Sequence, residues 1–183
     1  MSQSKKYGAI LADPAWTFKV YSGKGNARSA EKHYSTMTLR NIMDMPVADL
    51  AAPDCALFLW VTMPQIIEGI NVMESWGFLY KTCAFSWMKT NAKSPGLFTG
   101  MGYWTRSNAE ICLLGTRGRP KRMNKDVKQA ILAPRREHSR KPDEVYGRIE
   151  RLVKGPYLEL FSRTQRPGWD VWGNEVRKFS ADS

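Results

Sequence analysis

Four consecutive residues, Asp13-Pro14-Ala15-Trp16, set a carboxylate, a proline carbonyl and an indole side by side directly after the apolar run 8–12. A short apolar run closed by proline reads as a buried strand, so the acid and the ring are expected at its C-terminal edge. That edge is where open α/β sheets bind ligands. The trio is suited to gripping a flat heterocycle that bears an exocyclic amino group. The carboxylate and the Pro14 carbonyl accept the two amino hydrogens, and Trp16 offers a stacking face. The alternative is structural, with Asp-Pro opening a turn and Trp16 packed in the core.

A second chemical feature is charge. The 183 residues have a formal net charge of +11, which points to a polyanionic partner. Much of the excess is local: Arg117, Arg119, Lys121, Arg122, Lys125, Lys128, Arg135, Arg136, Arg140 and Lys141 are opposed in that stretch only by Asp126 and Glu137. Gly118 and Pro120 make part of the run a loop, so it reads as a set of phosphate contacts, with a solvated basic face as the alternative. A glycine-rich stretch, 90–108, adds Tyr103, Trp104 and Arg106, side chains that can stack on or wedge beside bases. Residues 17–34 are rich in Gly, Ser, Lys and Arg and suit a loop beside the edge where Asp13 emerges.

Positioning these residues requires a scaffold. Strand-like apolar runs recur at 8–12, 55–61, 81–88, 109–114, 129–133, 157–161 and, weakly, 170–172. Helical spacing relates Leu39, Ile42, Met43, Val47 and Leu50, and again Ile66, Ile67, Ile70, Val72 and Met73. A third helix is expected to begin with Pro142 at its first position, to bury Val145, Ile149, Leu152 and Val153, and to stop at Gly155-Pro156. Strands alternating with helices imply a three-layer α/β domain with a mostly parallel sheet.

Composition narrows the classes. No run of about 18 apolar residues is present, and the polar first six residues lack the apolar centre of a signal peptide, so a cytoplasmic protein without a membrane span is expected. Cys55, Cys83 and Cys112 each lie within an apolar run, so reduced buried thiols are expected. His33 and His138 sit near no cysteine pair, and no metal is expected. A dinucleotide-dependent oxidoreductase is disfavoured because no G-x-G-x-x-G follows the first strand.

Six blocks fall in one order: Asp13-Pro14-Ala15-Trp16, Leu57-Phe58-Leu59-Trp60-Val61, Trp87-Met88-Lys89-Thr90-Asn91, His138-Ser139-Arg140-Lys141-Pro142-Asp143-Glu144, Glu159-Leu160-Phe161-Ser162-Arg163 and Gly173-Asn174-Glu175. Over residues 7–176 the chain resembles the DPPW-motif adenine-N6 methyltransferases. That family includes the catalytic subunit of the messenger-RNA adenosine methyltransferase and small bacteriophage-type DNA methyltransferases. The resemblance implies a Rossmann-like class I S-adenosylmethionine-dependent methyltransferase fold in permuted motif order, with residues 1–183 as a single methyltransferase domain. It implies catalytic roles for Asp13, Pro14, Ala15 and Trp16. On the cofactor side it implies Asp13, Lys141 near the methionine carboxylate, Phe161, Arg163 near the ribose, and Asn174 with Glu175 near the ribose and amino-acid portion.

Arg106, Arg117, Arg119, Lys121, Arg122, Lys125, Arg135 and Arg136 are then expected to hold nucleic acid. The implied function is N6 methylation of adenine in DNA, in a bacterial host cytoplasm if the protein is phage-encoded, with a homodimer left open. RNA methylation and a non-catalytic nucleic-acid-binding relative are the alternatives; a relative of the latter kind would be expected to lose the acid or the ring of the motif, and both remain. Two departures stand out. Ala15 replaces the second proline of the motif, and Glu175 stands where the messenger-RNA enzyme has an amide.

Overall fold

The computed structural model describes residues 5–16, 37–102, 104–136 and 140–173. The expectations for residues 17–34, Tyr103, His138, Asn174 and Glu175 lie outside the described residues. Among the described residues, seven strands form one sheet: β1 (Tyr7–Ala12), β2 (Ala51–Val61), β3 (Leu79–Thr90), β4 (Ala109–Arg117), β5 (Ala130–Pro134), β6 (Tyr157–Leu160) and β7 (Trp169–Trp172), in the order β5-β3-β4-β2-β1-β6-β7. The pairings of β1 with β2 and β6, of β6 with β7 and of β3 with β5 are parallel, whereas β4 is antiparallel to both of its neighbours. β4 is thus the single strand running against the other six.

Alternation sends each strand's side chains to two separate cores. Ile10, Ala12, Leu57, Leu59, Val61 and Leu113 join one cluster, and Ala9, Leu11, Phe58, Trp60, Phe85, Trp87 and Cys112 join the other. Both faces must then be covered, which is why the strands read as continuous apolar runs. The helices supply the cover: α1 (Leu39–Met43) and α2 (Ile66–Ser75) with the first cluster, α3 (Glu144–Leu152) with the second. The three-layer, mostly parallel α/β arrangement matches the sequence expectation.

Three helix ends differ from it. The spacing from Leu39 to Leu50 does not make one helix: α1 stops at Asp44, and after Pro46 the chain forms only a 3-10 turn, Val47–Asp49. Proline cannot donate the helical hydrogen bond and forces the preceding residue out of helical conformation. Pro142 precedes the N-cap Asp143 rather than opening α3, and that helix reaches its C-cap at Val153, ahead of Gly155. The strand expected to reach Phe161 ends at Leu160, because Phe161 turns to φ 62°. No helix among the described residues is long and apolar enough to cross a membrane, and all three cysteines are free thiols.

Candidate active site

β1, β6 and the antiparallel β4 meet at one edge of the sheet. β1 delivers Asp13 just past its C-terminal end, β6 delivers Phe161, and the reversed direction of β4 brings its second residue, Glu110, to the same edge. Lys141, ahead of α3, ties them together: its ammonium lies 2.9 and 2.7 Å from the two oxygens of Asp13 and 3.3 Å from Glu110. Glu110 also pairs with Lys89 near the end of β3. Four alternating charges, Asp13, Lys141, Glu110 and Lys89, therefore line the edge, with Lys141 only 14% exposed. Burial disfavours the charge on Lys141, but Asp13 and Glu110 outweigh it and raise its pKa. Burial alone would raise the pKa of Glu110, yet Lys141 and Lys89 lower it. Glu110 and Lys141 are therefore both charged at neutral pH.

This edge opens into a cleft lined by Leu11, Asp13, Trp60, Lys141, Tyr146, Glu159, Phe161 and Arg163. Glu159 accepts hydrogen bonds from the Tyr146 hydroxyl (2.9 Å) and the Ser162 hydroxyl (2.8 Å). Burial outweighs those bonds and raises the Glu159 pKa. Phe161 holds a left-handed backbone that bulky residues rarely adopt, and such strain concentrates at ligand sites. Gly173 permits the close backbone approach there, since a side chain on it would collide with the backbone of Ser162. The buried Trp60 indole N–H has no hydrogen-bond partner among the described residues, an orphaned donor in the wall of a cleft.

The motif residues are arranged differently from the expectation in one respect. Trp16 is 8% exposed, belongs to the first core cluster and donates its indole N–H to the Trp60 carbonyl at 3.0 Å. Its ring holds the motif in place, and the open stacking face expected of it is absent. The Pro14 carbonyl accepts a hydrogen bond from the Trp16 amide at 2.9 Å, a γ-turn centred on Ala15. One carbonyl lone pair is left over.

Around the N-terminus of α3, Asp143 receives Arg136 (2.8 Å), Arg140 (3.3 Å) and Arg166 (3.3 Å). Arg136 also donates to the Lys141 carbonyl. This guanidinium props the segment that carries Lys141.

The expected nucleic-acid residues do not share one face. Arg106, Arg135 and Arg136 lie on the Asp13 edge, whereas Arg117 and Arg119 leave β4 at the opposite edge, roughly 27 Å along a nine-residue strand at about 3.4 Å per residue. Arg117 donates to the Ala48 carbonyl at 2.6 Å. Lys121, Arg122 and Lys125 are exposed and run beside the C-terminal end of α3, where the Met123 amide bonds the Leu152 carbonyl and Asn124 bonds that of Arg151.

Three groups in the site had not been anticipated: Glu110, Glu159 and Tyr146. The missing helical pattern between the strands at 81–88 and 109–114 was the available signal for Glu110, since a connection without a crossover helix implies an antiparallel pair.

Comparison with known proteins agrees with this geometry. The MT-A70 family model matches residues 7–175. A type II methyltransferase of a Mycoplasma species, M.MunI, is 34% identical over 190 residues, covering 94% of this chain and 78% of that protein. The human N(6)-adenosine-methyltransferase catalytic subunit METTL3 is 33% identical over 176 residues, covering 93% of this chain but only 28% of the human protein. An Arabidopsis thaliana N(6)-adenosine-methyltransferase MT-A70-like protein is 33% identical, with 24% of its length covered. The match runs from the first residue of β1 through Asp13, Glu110, Lys141 and Phe161, and the chain belongs to the MT-A70 family.

Proposed function

We propose that this protein transfers a methyl group from S-adenosylmethionine to the N6 amino group of adenine in DNA. The observation that supports it most is Asp13, presented at the end of β1 within a family match that spans the whole site. We read the sheet as a Rossmann-like methyltransferase sheet in permuted order, with the catalytic motif on the first strand and the cofactor segments after it.

The cleft fits the cofactor's chemistry. Its carboxylate would meet Lys141 and Arg163, its cationic centres Asp13 and Glu159, and its nucleoside Phe161, with Asn174 and Glu175 beyond the described residues. When bound, S-adenosylmethionine supplies the electrophilic methyl group. An adenine amino group is a poor nucleophile because its lone pair is delocalised into the ring. Asp13 accepts one amino hydrogen and the remaining Pro14 lone pair accepts the other, which favours a pyramidal nitrogen. A carboxylate has about four acceptor sites, so pairing with Lys141 leaves Asp13 able to do this. The fixed Asp13 charge stabilises positive charge developing on the nitrogen, and the buried Trp16 and Lys141 keep it aimed. A duplex substrate must first release its base from the stack.

DNA is favoured by the likeness to the small DNA-modifying members and by a match covering most of a methyltransferase of similar size. RNA is the second reading, supported by the adenosine methyltransferases among the relatives. Incubation with tritiated S-adenosylmethionine and separate DNA and RNA pools, followed by nucleoside identification, decides. N6-methyladenine in DNA is expected; label confined to RNA selects the second reading, and no label in either pool overturns both.

A further inference from the structure

The proposed chemistry leaves one prominent feature unused. Trp104 is 94% exposed, whereas Trp16, Trp60, Trp76, Trp87 and Trp169 are buried. It also adopts φ 67°, a left-handed conformation that is a genuine outlier for a large side chain. An exposed ring on a strained backbone persists only where the surroundings hold it.

The loop that presents it is tightly built. An isolated antiparallel bridge joins Thr90 to Leu97, the Phe98 amide bonds the Lys89 carbonyl at 2.9 Å, and the Gly100 amide bonds the Ser107 carbonyl at 2.8 Å. The Asn108 side chain donates to the Lys89 carbonyl at 3.0 Å and also to the Phe98 carbonyl. Gly102 lets the tip close, because a side chain there would run into the Thr105 carbonyl. The stem grows from Lys89, the residue whose ammonium pairs with Glu110, so the indole is mounted on the candidate active site's own framework. Cations flank it. Arg106 is exposed two residues on, and the Arg135 guanidinium lies 4.2 Å from the centre of the Phe98 ring.

We propose that Trp104 is a base-stacking residue, packing against a nucleobase next to the target adenine while Arg106 and Arg135 hold the flanking phosphates. This rests on the nucleic-acid reading above and adds to it the ring that Trp16, buried in the core, cannot offer. An exposed aromatic on a loop that also carries Arg106 and has Arg135 against its Phe98 suits a chain of flat bases linked by phosphates. A protein partner would also cover the indole, and the test includes that outcome.

The test follows tryptophan emission and affinity with single-stranded oligodeoxyadenylate, with heparin as a polyanion without bases. The wild-type protein should be quenched by the oligonucleotide and not by heparin. Trp104→Ala should lose most of that quenching and bind about tenfold or more weakly, the scale of one lost base stack. Trp104→Phe should retain most of the affinity, and the thermal midpoint of both variants should match wild type, since the ring touches no core.

Binding by Trp104→Ala within about twofold of wild type overturns the proposal. A changed sedimentation coefficient for free Trp104→Ala also overturns it, by showing the ring buried against a second copy. Methylation of DNA by a wild-type protein whose Trp104→Ala variant binds unchanged defeats this inference alone. A wild-type protein that binds no nucleic acid defeats the functional reading as well.

Discussion

Asp13 is legible in the sequence because proline after an apolar run marks a strand end, but its partner is not. Lys141 lies 128 positions away, and Glu110 reaches it only because β4 runs backwards. Removing the Asp13 charge should therefore have two effects. Asp13→Asn should reduce methyl transfer at least 10²–10³-fold, the scale of losing one preorganised electrostatic group. It should also destabilise the fold by about 1–3 kcal/mol, because the buried Lys141 loses the carboxylate that lies nearest to it. Single-turnover methyl transfer and urea unfolding measure the two, and a variant with most of its turnover sinks the assignment of Asp13. Ala15 allows a sharper test. Its φ is not positive, so the γ-turn around it is the inverse kind, with φ near −75°, a value proline accommodates. The Ala15 amide donates to no described residue. Ala15→Pro should raise stability by about 0.4–1 kcal/mol and preserve activity; loss of folding would show that the turn needs a torsion or a donor that proline lacks.

Strands were the most legible elements, because a sheet covered on both faces writes itself as apolar runs. Strand direction was not, since periodicity is the same whichever way a strand runs. Direction is what divides the basic residues: a run continuous in sequence leaves one edge of the sheet at Arg117 and returns at Arg135 to the other. The far-edge group should then matter little to DNA held at Asp13. Lys121, Arg122 and Lys125 replaced together by alanine should change the salt slope of binding by less than one unit, whereas Arg106→Ala with Arg135→Ala should flatten it by up to about two, near 0.9 per phosphate contact in a duplex. Equilibrium titrations at several salt concentrations compare the two. A far-edge triple variant that flattens the slope by about three units would show the nucleic acid crossing the opposite face instead.

The whole molecule's response to pH follows from how its carboxylates are shared between the buried edge and the α3 cap. At Glu110, Lys141 and Lys89 overcome burial, and at Asp143 the arginines led by Arg136 do the same, so both pKa values are lowered on folding. Their stabilisation is complete above the ordinary carboxylate range, about 4, and is lost as pH falls through the lowered folded values. A chain of net charge +11 gains further self-repulsion as its acids protonate. Urea unfolding should therefore show stability falling below about pH 4, with a shallower fall in Glu110→Gln and in Asp143→Asn.

Glu159 runs the other way. Burial raises its folded pKa, so its contribution is present below the ordinary value and is lost as pH rises through the raised one. Glutamine can replace it without stranding a partner. The amide oxygen still accepts from the Tyr146 hydroxyl, the amide nitrogen donates to the Ser162 oxygen, and the Ser162 hydroxyl donates to the Thr164 carbonyl 2.7 Å away. The stability of Glu159→Gln minus that of wild type should grow more favourable from pH 4 to pH 7. A difference that shrinks over that interval would mean that Glu159 is held ionised by its neighbours and that the cleft is less dry than its lining implies.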